Sequence, residues 1–218
     1  MRLLEKAGCL VHYNTEQTCC GHPAFNAGYW DAAKEVGEKL INEYLPGHYV
    51  VAPSASCTGM IRNGYTKLFE NTAVHNTCKK LQGNLFEFSE FVVNVLGNPE
   101  LGIRFQTRIA WMDTCQALRE CTIQKSPRQL LAQVEGLEVA EVPDQETCCG
   151  FGGVFATKHE NLSVDMAAKK VDAALQTGAE FLVSNDLSCL MHLDTYIQKN
   201  NLPIKAIHLV DLLAKGMR

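Results

Sequence analysis

Short apolar runs alternate with amphipathic stretches along this chain, and the alternation happens twice. In the first half, "CLVHY" (residues 9–13) precedes "TCCG", and the amphipathic stretch "YWDAAKEVGEKLINEYL" follows. A second apolar run, "YVVAPSASC", ends at Cys57. In the second half, "LEVAEV" leads to another "TCCG", then "NLSVDMAAKKVDAALQTG", then "EFLVSNDLSC" ending at Cys189. "FEFSEFVVNVLG" and "AIHLVDLLAKG" close the two units. The Cys20–Cys57 interval is 37 residues and the Cys149–Cys189 interval is 40, so the copies run nearly in register. Short apolar runs bounded by turn residues predict strands, and the longer amphipathic runs predict helices. Their alternation predicts βαβ units: an α/β fold of two pseudo-repeated, Rossmann-like halves, residues 1–103 and 104–218, each with a mostly parallel sheet.

In open α/β sheets the loops past the carboxyl ends of the strands converge on one crevice, where ligands sit. Cys57 and Cys189 fall just past expected strands, as does Cys115 at the end of "TRIAWMDTC". The second half should therefore bring Cys115, Cys148, Cys149 and Cys189 together, as a metal or cluster site. Adjacent cysteines ahead of a glycine are awkward for one local disulfide, and as core filler they need neither the glycine nor a second copy.

Composition sharpens this reading. Hydrophobic residues make up 46% of 218, enough for a packed core. Lysine and arginine total 20 against 24 acidic residues, a net charge of −4 without a basic stripe, which argues against nucleic acid as a partner. The apolar runs are shorter than the about 20 residues of a membrane span, and "MRLLEKAGC" is too short in apolar residues for a signal peptide. A cytoplasmic location is the expectation. In that reducing compartment ten cysteines read as metal-binding or redox-active rather than as a disulfide framework. Cys9, Cys78 and Cys121 stand outside the pattern and read as small buried hydrophobes. Zinc sites usually draw ligands from short C-x-x-C knuckles, whereas these ligands are 33 and 40 residues apart, so the spacing favours an iron–sulfur cluster and leaves zinc as the alternative.

The residues that carry this pattern, "TCCGHPAFNAGY", "APSASCTGM", "MDTCQALRE", "ETCCGFGGVFATK" and "CLMHLDTYI", resemble the CCG (cysteine-rich) family of iron–sulfur oxidoreductase subunits. That family includes the cysteine-rich subunit of heterodisulfide reductase, the glycolate oxidase iron–sulfur subunit and the lactate utilization subunits, and the last resemble this chain along nearly its whole length. The resemblance implies that Cys115, Cys148, Cys149 and Cys189 bind a [4Fe-4S] cluster. It also implies an electron-transfer role beside a ferredoxin-like iron–sulfur subunit and a third subunit, together oxidising L-lactate to pyruvate. Asp186 and Ser54 stand where the family has the first cysteine of a closing C-x-x-C. Asp186 is thus either an oxygen ligand, a hydrogen-bond acceptor or a solvated loop carboxylate.

The first half departs further. A counterpart of Cys115 would fall 33 residues before Cys19, ahead of Met1, so this half is expected to lack the family's opening strand and its cysteine, leaving a sheet edge uncovered. Cys19, Cys20 and Cys57 remain as candidate metal ligands, for zinc with His22 or water, for a damaged cluster, or for nothing. Around the second motif, Gly150, Gly152 and Gly153 either aim N–H groups at a cluster or simply turn the chain. Arg119 either balances cluster charge or is a surface residue. His208 either faces the crevice or is a core histidine, and His159 and His192 read as structural. "KSPRQLL" reads as a helix start capped at Ser126.

The sequence contains no G-x-G-x-x-G, no G-x-x-x-x-G-K-[ST] and no H-E-x-x-H, which argues against a bound nucleotide and assigns no catalytic residue. Two other classes stay open: a zinc-stabilised interaction module, and a thiol–disulfide reductase subunit that uses Cys148 and Cys149 directly.

Overall fold

The computed structural model describes residues 1–217. The first half contains α1 (Arg2–Lys6), α2 (His22–Asn26), α3 (Trp30–Glu43), β1 (Val50–Ala52), α4 (Ala55–Gly59), α5 (Tyr65–Phe69), α6 (His75–Asn84), β2 (Leu85–Glu87) and α7 (Phe88–Glu90). A π-helical turn, Met60–Gly64, joins α4 to α5, and another, Phe91–Val95, extends α7. The second half contains β3 (Arg104–Trp111), α8 (Cys115–Arg119), α9 (Lys125–Leu131), β4 (Glu135–Glu141), α10 (Val154–Lys158), α11 (Glu160–Leu175), β5 (Phe181–Ser184), α12 (Leu187–Lys199), β6 (Lys205–His208) and α13 (Leu209–Lys215).

Among the described residues the named strands pair only in parallel, as expected of an α/β fold, and one isolated antiparallel bridge joins Ile103 to Met217. Strands β4-β3-β5-β6 form one sheet in that order, and β1 and β2 form another. Residue pairs such as Ile109 with Val139 and with Phe181, and Ser184 with His208, fix the register. The period of two sorts β3 onto two cores. Ile109 and Trp111 face Leu130, Leu131, Leu209 and Leu212 on one side. Ala110 and Met112 face Ala167, Val171, Leu190 and Leu193 on the other. Helices therefore cover both faces, the usual environment of parallel strands. A third core gathers Ile41 of α3, Tyr65 and Phe69 of α5, Leu81 of α6 and Leu85 of β2. Among the described residues, no helix is long and apolar enough to cross a membrane.

Two expectations need correction. "CLVHY" is not a strand: residues 9–14 belong to no regular element, and Leu10 is fully exposed. Its repeat counterpart, β4, pairs only with β3. Among the described residues no strand occupies β3's place beside β1, so this segment has no ladder to join. The helix at "KSPRQLL" starts at Lys125 with Gln124 as its N-cap, so Ser126 lies inside the first turn and does not cap it. Pro127 fits there because first-turn N–H groups have no intrahelical partner.

Each half ends with a strand whose last residue caps the next helix. His208 Nδ1 accepts from the Val210 N–H at 3.2 Å. At the equivalent place Glu87 accepts from the N–H groups of Ser89 (2.8 Å) and Glu90 (3.3 Å) and from the Ser89 hydroxyl. Glu87 is wholly buried, and its other oxygen, Oε1, has no partner. Burial outweighs these bonds and pushes its carboxyl up to about 7. A raised carboxyl stabilises the fold while protonated, so this contribution is complete below about pH 4.5 and is lost as pH rises through about 7. Urea unfolding from pH 5 to 8 should show it as a loss of at most roughly 3 kcal/mol, and Glu87→Gln should flatten that part of the profile. An unchanged slope in the variant would remove Glu87 from this role.

Candidate metal centre

Three strands of one sheet deliver the cysteines of the second half. Cys115 opens α8 just past β3, Cys148 and Cys149 lie in the loop after β4, and Cys189 lies in the first turn of α12 after β5. Thr114 caps α8 through the Ala117 N–H, and Asp186 caps α12 through the Ser188 N–H, which fixes where both cysteine-bearing turns begin. The sulfurs meet in series. Cys149 Sγ lies 2.6 Å from Cys189 Sγ, and Cys148 is close enough to Cys115 and Cys149 for their thiols to perturb one another's acidity. In the first half Cys20 Sγ lies 3.4 Å from Cys57 Sγ, while Cys19 is exposed.

The glycine after each cysteine pair explains the motif. Gly150 has φ 91° and Gly21 φ 82°, a left-handed turn that side chains disfavour. The turn points consecutive N–H groups at consecutive sulfurs. Gly150 N–H donates to Cys148 Sγ and Gly21 N–H to Cys19 Sγ, each at 3.4 Å, while the backbone N–H groups of Phe151 and His22 favour the thiolate forms of Cys149 and Cys20. The turn also packs against the helix that follows. A Cβ on Gly150 would sit 2.6 Å from Ser163 O, and one on Gly21 2.8 Å from Ala33 O.

Arg119 and two side chains that the sequence did not single out, Gln145 and Lys170, hold the second loop in place. Gln145 Nε2 donates to Trp111 O at 2.9 Å and its Oε1 accepts from Asp113 N–H at 2.7 Å, which pins the loop to the end of β3. Arg119 donates to Glu146 O at 2.9 Å, and Lys170 Nζ to Asp144 O at 2.5 Å. Gln145 and Lys170 bond partners 26 to 34 residues away, which left no local signal. A lysine at a core-facing position of α11 was the one available clue.

Asp186 is not a solvated carboxylate. It is 1% exposed and accepts from Ser188 N–H (3.1 Å), Ser188 Oγ (2.5 Å) and, across the repeat, Ser56 N–H (2.7 Å). Ser56 precedes Cys57 and Ser188 precedes Cys189, so one carboxylate joins both cysteine turns. Beside it, Ala55 N–H donates to Asn185 O at 3.3 Å and Cys121 Sγ to Ala55 O at 3.3 Å. Gly59 permits this approach, since a Cβ there would lie 2.8 Å from Glu120 Cβ.

The thiols share protons unevenly. Cys148 is pulled well below the usual thiol range, first by the Cys115 and Cys149 donors, then by the Gly150 N–H and Arg119. Cys115 and Cys149 are pushed up, each as donor to a neighbouring sulfur and then by burial. In the first half Cys57 falls to about 7 through the Cys20 thiol and Ser54, and Cys20 rises as the donor to Cys57 and through burial. A series in which one thiolate is shared among several thiols is a ready ligand set, because metals bind thiolate sulfur.

Other expected residues sort clearly. Cys78 and Cys121 are buried, whereas Cys9 is half-buried. His208 is buried with Nε2 unpartnered, and burial lowers its pKa. His192 bonds Ser163, and His159 is exposed. Burial also lowers His22, against the pull of Asp186 and Glu120. Gly152 and Gly153 adopt positive φ, with Gly153 beside Pro23 of the first motif. Among the described residues, no three His, Cys, Asp or Glu side chains close around a single metal ion.

A family model described as "Cysteine-rich domain" (CCG) matches residues 1–62 and 109–194. The chain is 39% identical over 214 residues to "Lactate utilization protein A" of Halalkalibacterium halodurans, spanning 98% of this chain and 87% of that protein. It is 37% identical to the protein of that name from Macrococcus caseolyticus, with the same shares covered. It is 36% identical to that of Bacillus subtilis, over 98% of this chain and 90% of the relative.

Two substitutions test the geometry. Gly150→Ala should cost roughly 2–3 kcal/mol in urea unfolding, from the left-handed turn and the contact with Ser163 O, and wild-type stability would contradict the close packing. Asp186→Ala should cost roughly 2–4 kcal/mol by leaving buried N–H donors without an acceptor, while Asp186→Asn should recover part of the loss.

Proposed function

The chain belongs to the cysteine-rich CCG domain family, and from that membership we propose that it is an iron–sulfur electron-transfer subunit of a complex that oxidises L-lactate to pyruvate. The observation that carries this reading is the series Cys115–Cys148–Cys149–Cys189, four sulfurs from three separate loops. A [4Fe-4S] cluster takes one thiolate on each of four irons, whereas zinc needs its ligands closed around one ion. Ligands 33 and 40 residues apart, rather than in short C-x-x-C knuckles, support the cluster over zinc. The donor set fits it also, since the N–H groups of Gly150 and Phe151 are aimed at the cysteine sulfurs.

A bound cluster would supply one-electron storage and transfer. The chain's own residues supply the rest. Cys115, Cys148, Cys149 and Cys189 hold the group, Gln145, Arg119 and Asp186 fix the turns that carry them, and the sheet cores keep the inner side dry. Oxidising L-lactate to pyruvate releases two electrons and two protons, so a one-electron carrier must turn over twice for each lactate. A ferredoxin-like iron–sulfur subunit and a third subunit are the partners in this reading. Residues 1–103 and 104–218 are its two half-domains, and the cytoplasm, where thiols stay reduced, is its compartment. Cys19, Cys20 and Cys57 form a smaller metal site with three sulfurs.

One observation favours a second reading. Cys149 and Cys189 approach at 2.6 Å, so these two thiols could join as a disulfide, releasing two protons and two electrons to an acceptor subunit. Anaerobic reconstitution of the full chain separates the two. The cluster reading predicts a brown protein with about four irons and four sulfides per chain and an EPR signal on reduction. Cys149→Ser or Cys189→Ser should abolish both. A colourless protein carrying zinc, or a reversible Cys149–Cys189 disulfide without iron, would overturn it.

A further inference from the structure

Lys170 is the one lysine or arginine that is fully buried among the described residues, at 2% exposure on α11. Its ammonium donates to Asp144 O at 2.5 Å, four residues before Cys148; burial lowers its pKa, against the pull of Asp144, Cys149, Cys148 and Asp113. The repeat shows that this arrangement belongs to one half only. Gly21 packs on Ala33 O and Gly150 on Ser163 O, so Ala33 corresponds to Ser163, and seven residues further on Leu40 corresponds to Lys170. The first half has a lysine with a similar reach, for Lys39 donates to Glu16 O at 2.5 Å. That lysine is 44% exposed and paired with Glu43 at 3.5 Å, so water and a carboxylate screen its charge.

A buried charge is screened far less, and its effect on a nearby anion is correspondingly larger. Four thiolates make any bound metal group anionic, and reduction adds one more negative charge. We propose that Lys170 is a positioning residue whose buried ammonium holds the second CCG loop and raises the reduction potential of the centre bound there, a device the first centre lacks. For the potential this rests on the cluster reading above; for the loop and the charge it rests on the side chain alone.

The test uses the full chain with Lys170→Met, Lys170→Gln and Lys170→Arg. Gln retains a donor for Asp144 O without the charge, and it carries the test if Met fails to fold. After anaerobic reconstitution, an EPR-monitored redox titration should show the neutral variants with unchanged iron content. Their reduced-to-oxidised ratio at fixed potential should fall roughly tenfold, about 59 mV for one electron. Arg should restore the wild-type value. A second arm needs no cluster. Co2+ added to the metal-free chain in a Cys57→Ser background, followed by sulfur-to-cobalt absorption, should bind roughly tenfold more weakly to the neutral variants and normally to Arg. A lowered melting temperature with unchanged potential and unchanged Co2+ affinity would make Lys170 a structural tether only and overturn the proposal. If the wild-type chain takes up no iron and sulfide, the cluster reading falls, and the Co2+ arm still decides the role of Lys170.

Discussion

Asp186 accepts hydrogen bonds from the N–H of Ser56 and from the N–H and hydroxyl of Ser188, and because each serine precedes a cysteine, the turns of Cys57 and Cys189 share one anchor. The carboxylate is buried, where an unpaired donor or acceptor is costly, so neither turn can move without exposing or orphaning polar groups. The same carboxylate caps α12, which sets the start of the helix that carries Cys189 against Cys149. The sheet brings three strand ends to one place; Asp186 decides how the two repeats face one another there.

The two repeats share one backbone solution and differ in the chemistry attached to it. Both CCG turns rotate through a left-handed glycine, aim two N–H groups at two sulfurs and rest on the carbonyl of the next helix. The differences lie at equivalent places: Lys170 against Leu40, His208 against Glu87, Asp186 against Ser54. Lys170 and Asp186 face uncharged counterparts, while His208 and Glu87 put an imidazole and a carboxyl at one position. A duplicated scaffold thus presents two groups of cysteines in unlike electrostatic surroundings.

Much of this architecture was legible in the sequence. The runs "YVVA", "TRIAW" and "FLVS" became β1, β3 and β5, and the two amphipathic stretches became α3 and α11, because strand and helix periods reflect burial directly. "CLVHY" failed because a strand needs a neighbour, and pairing is a tertiary property that one apolar run does not encode. The Ser126 cap failed because the helix began two residues earlier, at a boundary that local preference defines weakly. At the site, the repeat pattern pointed to loops that the structure brings together, with Cys149 against Cys189 and Cys20 against Cys57, since loops after parallel strands share one end of the sheet. Gln145, Lys170 and the bridging role of Asp186 were not legible. They act across 26 to 130 residues, and a polar residue in an α/β sequence reads as solvated until its neighbours are known.

The account stands or falls with the meeting of sulfurs from three loops. A short bifunctional thiol reagent applied to the reduced, metal-free chain, followed by peptide mapping, measures that directly. Bridges between Cys149 and Cys189 and between Cys115 and Cys148 are the predicted products. Cys189 or Cys115 bridged instead to Cys121, or left unbridged while Cys20 and Cys57 react as a pair, would contradict it.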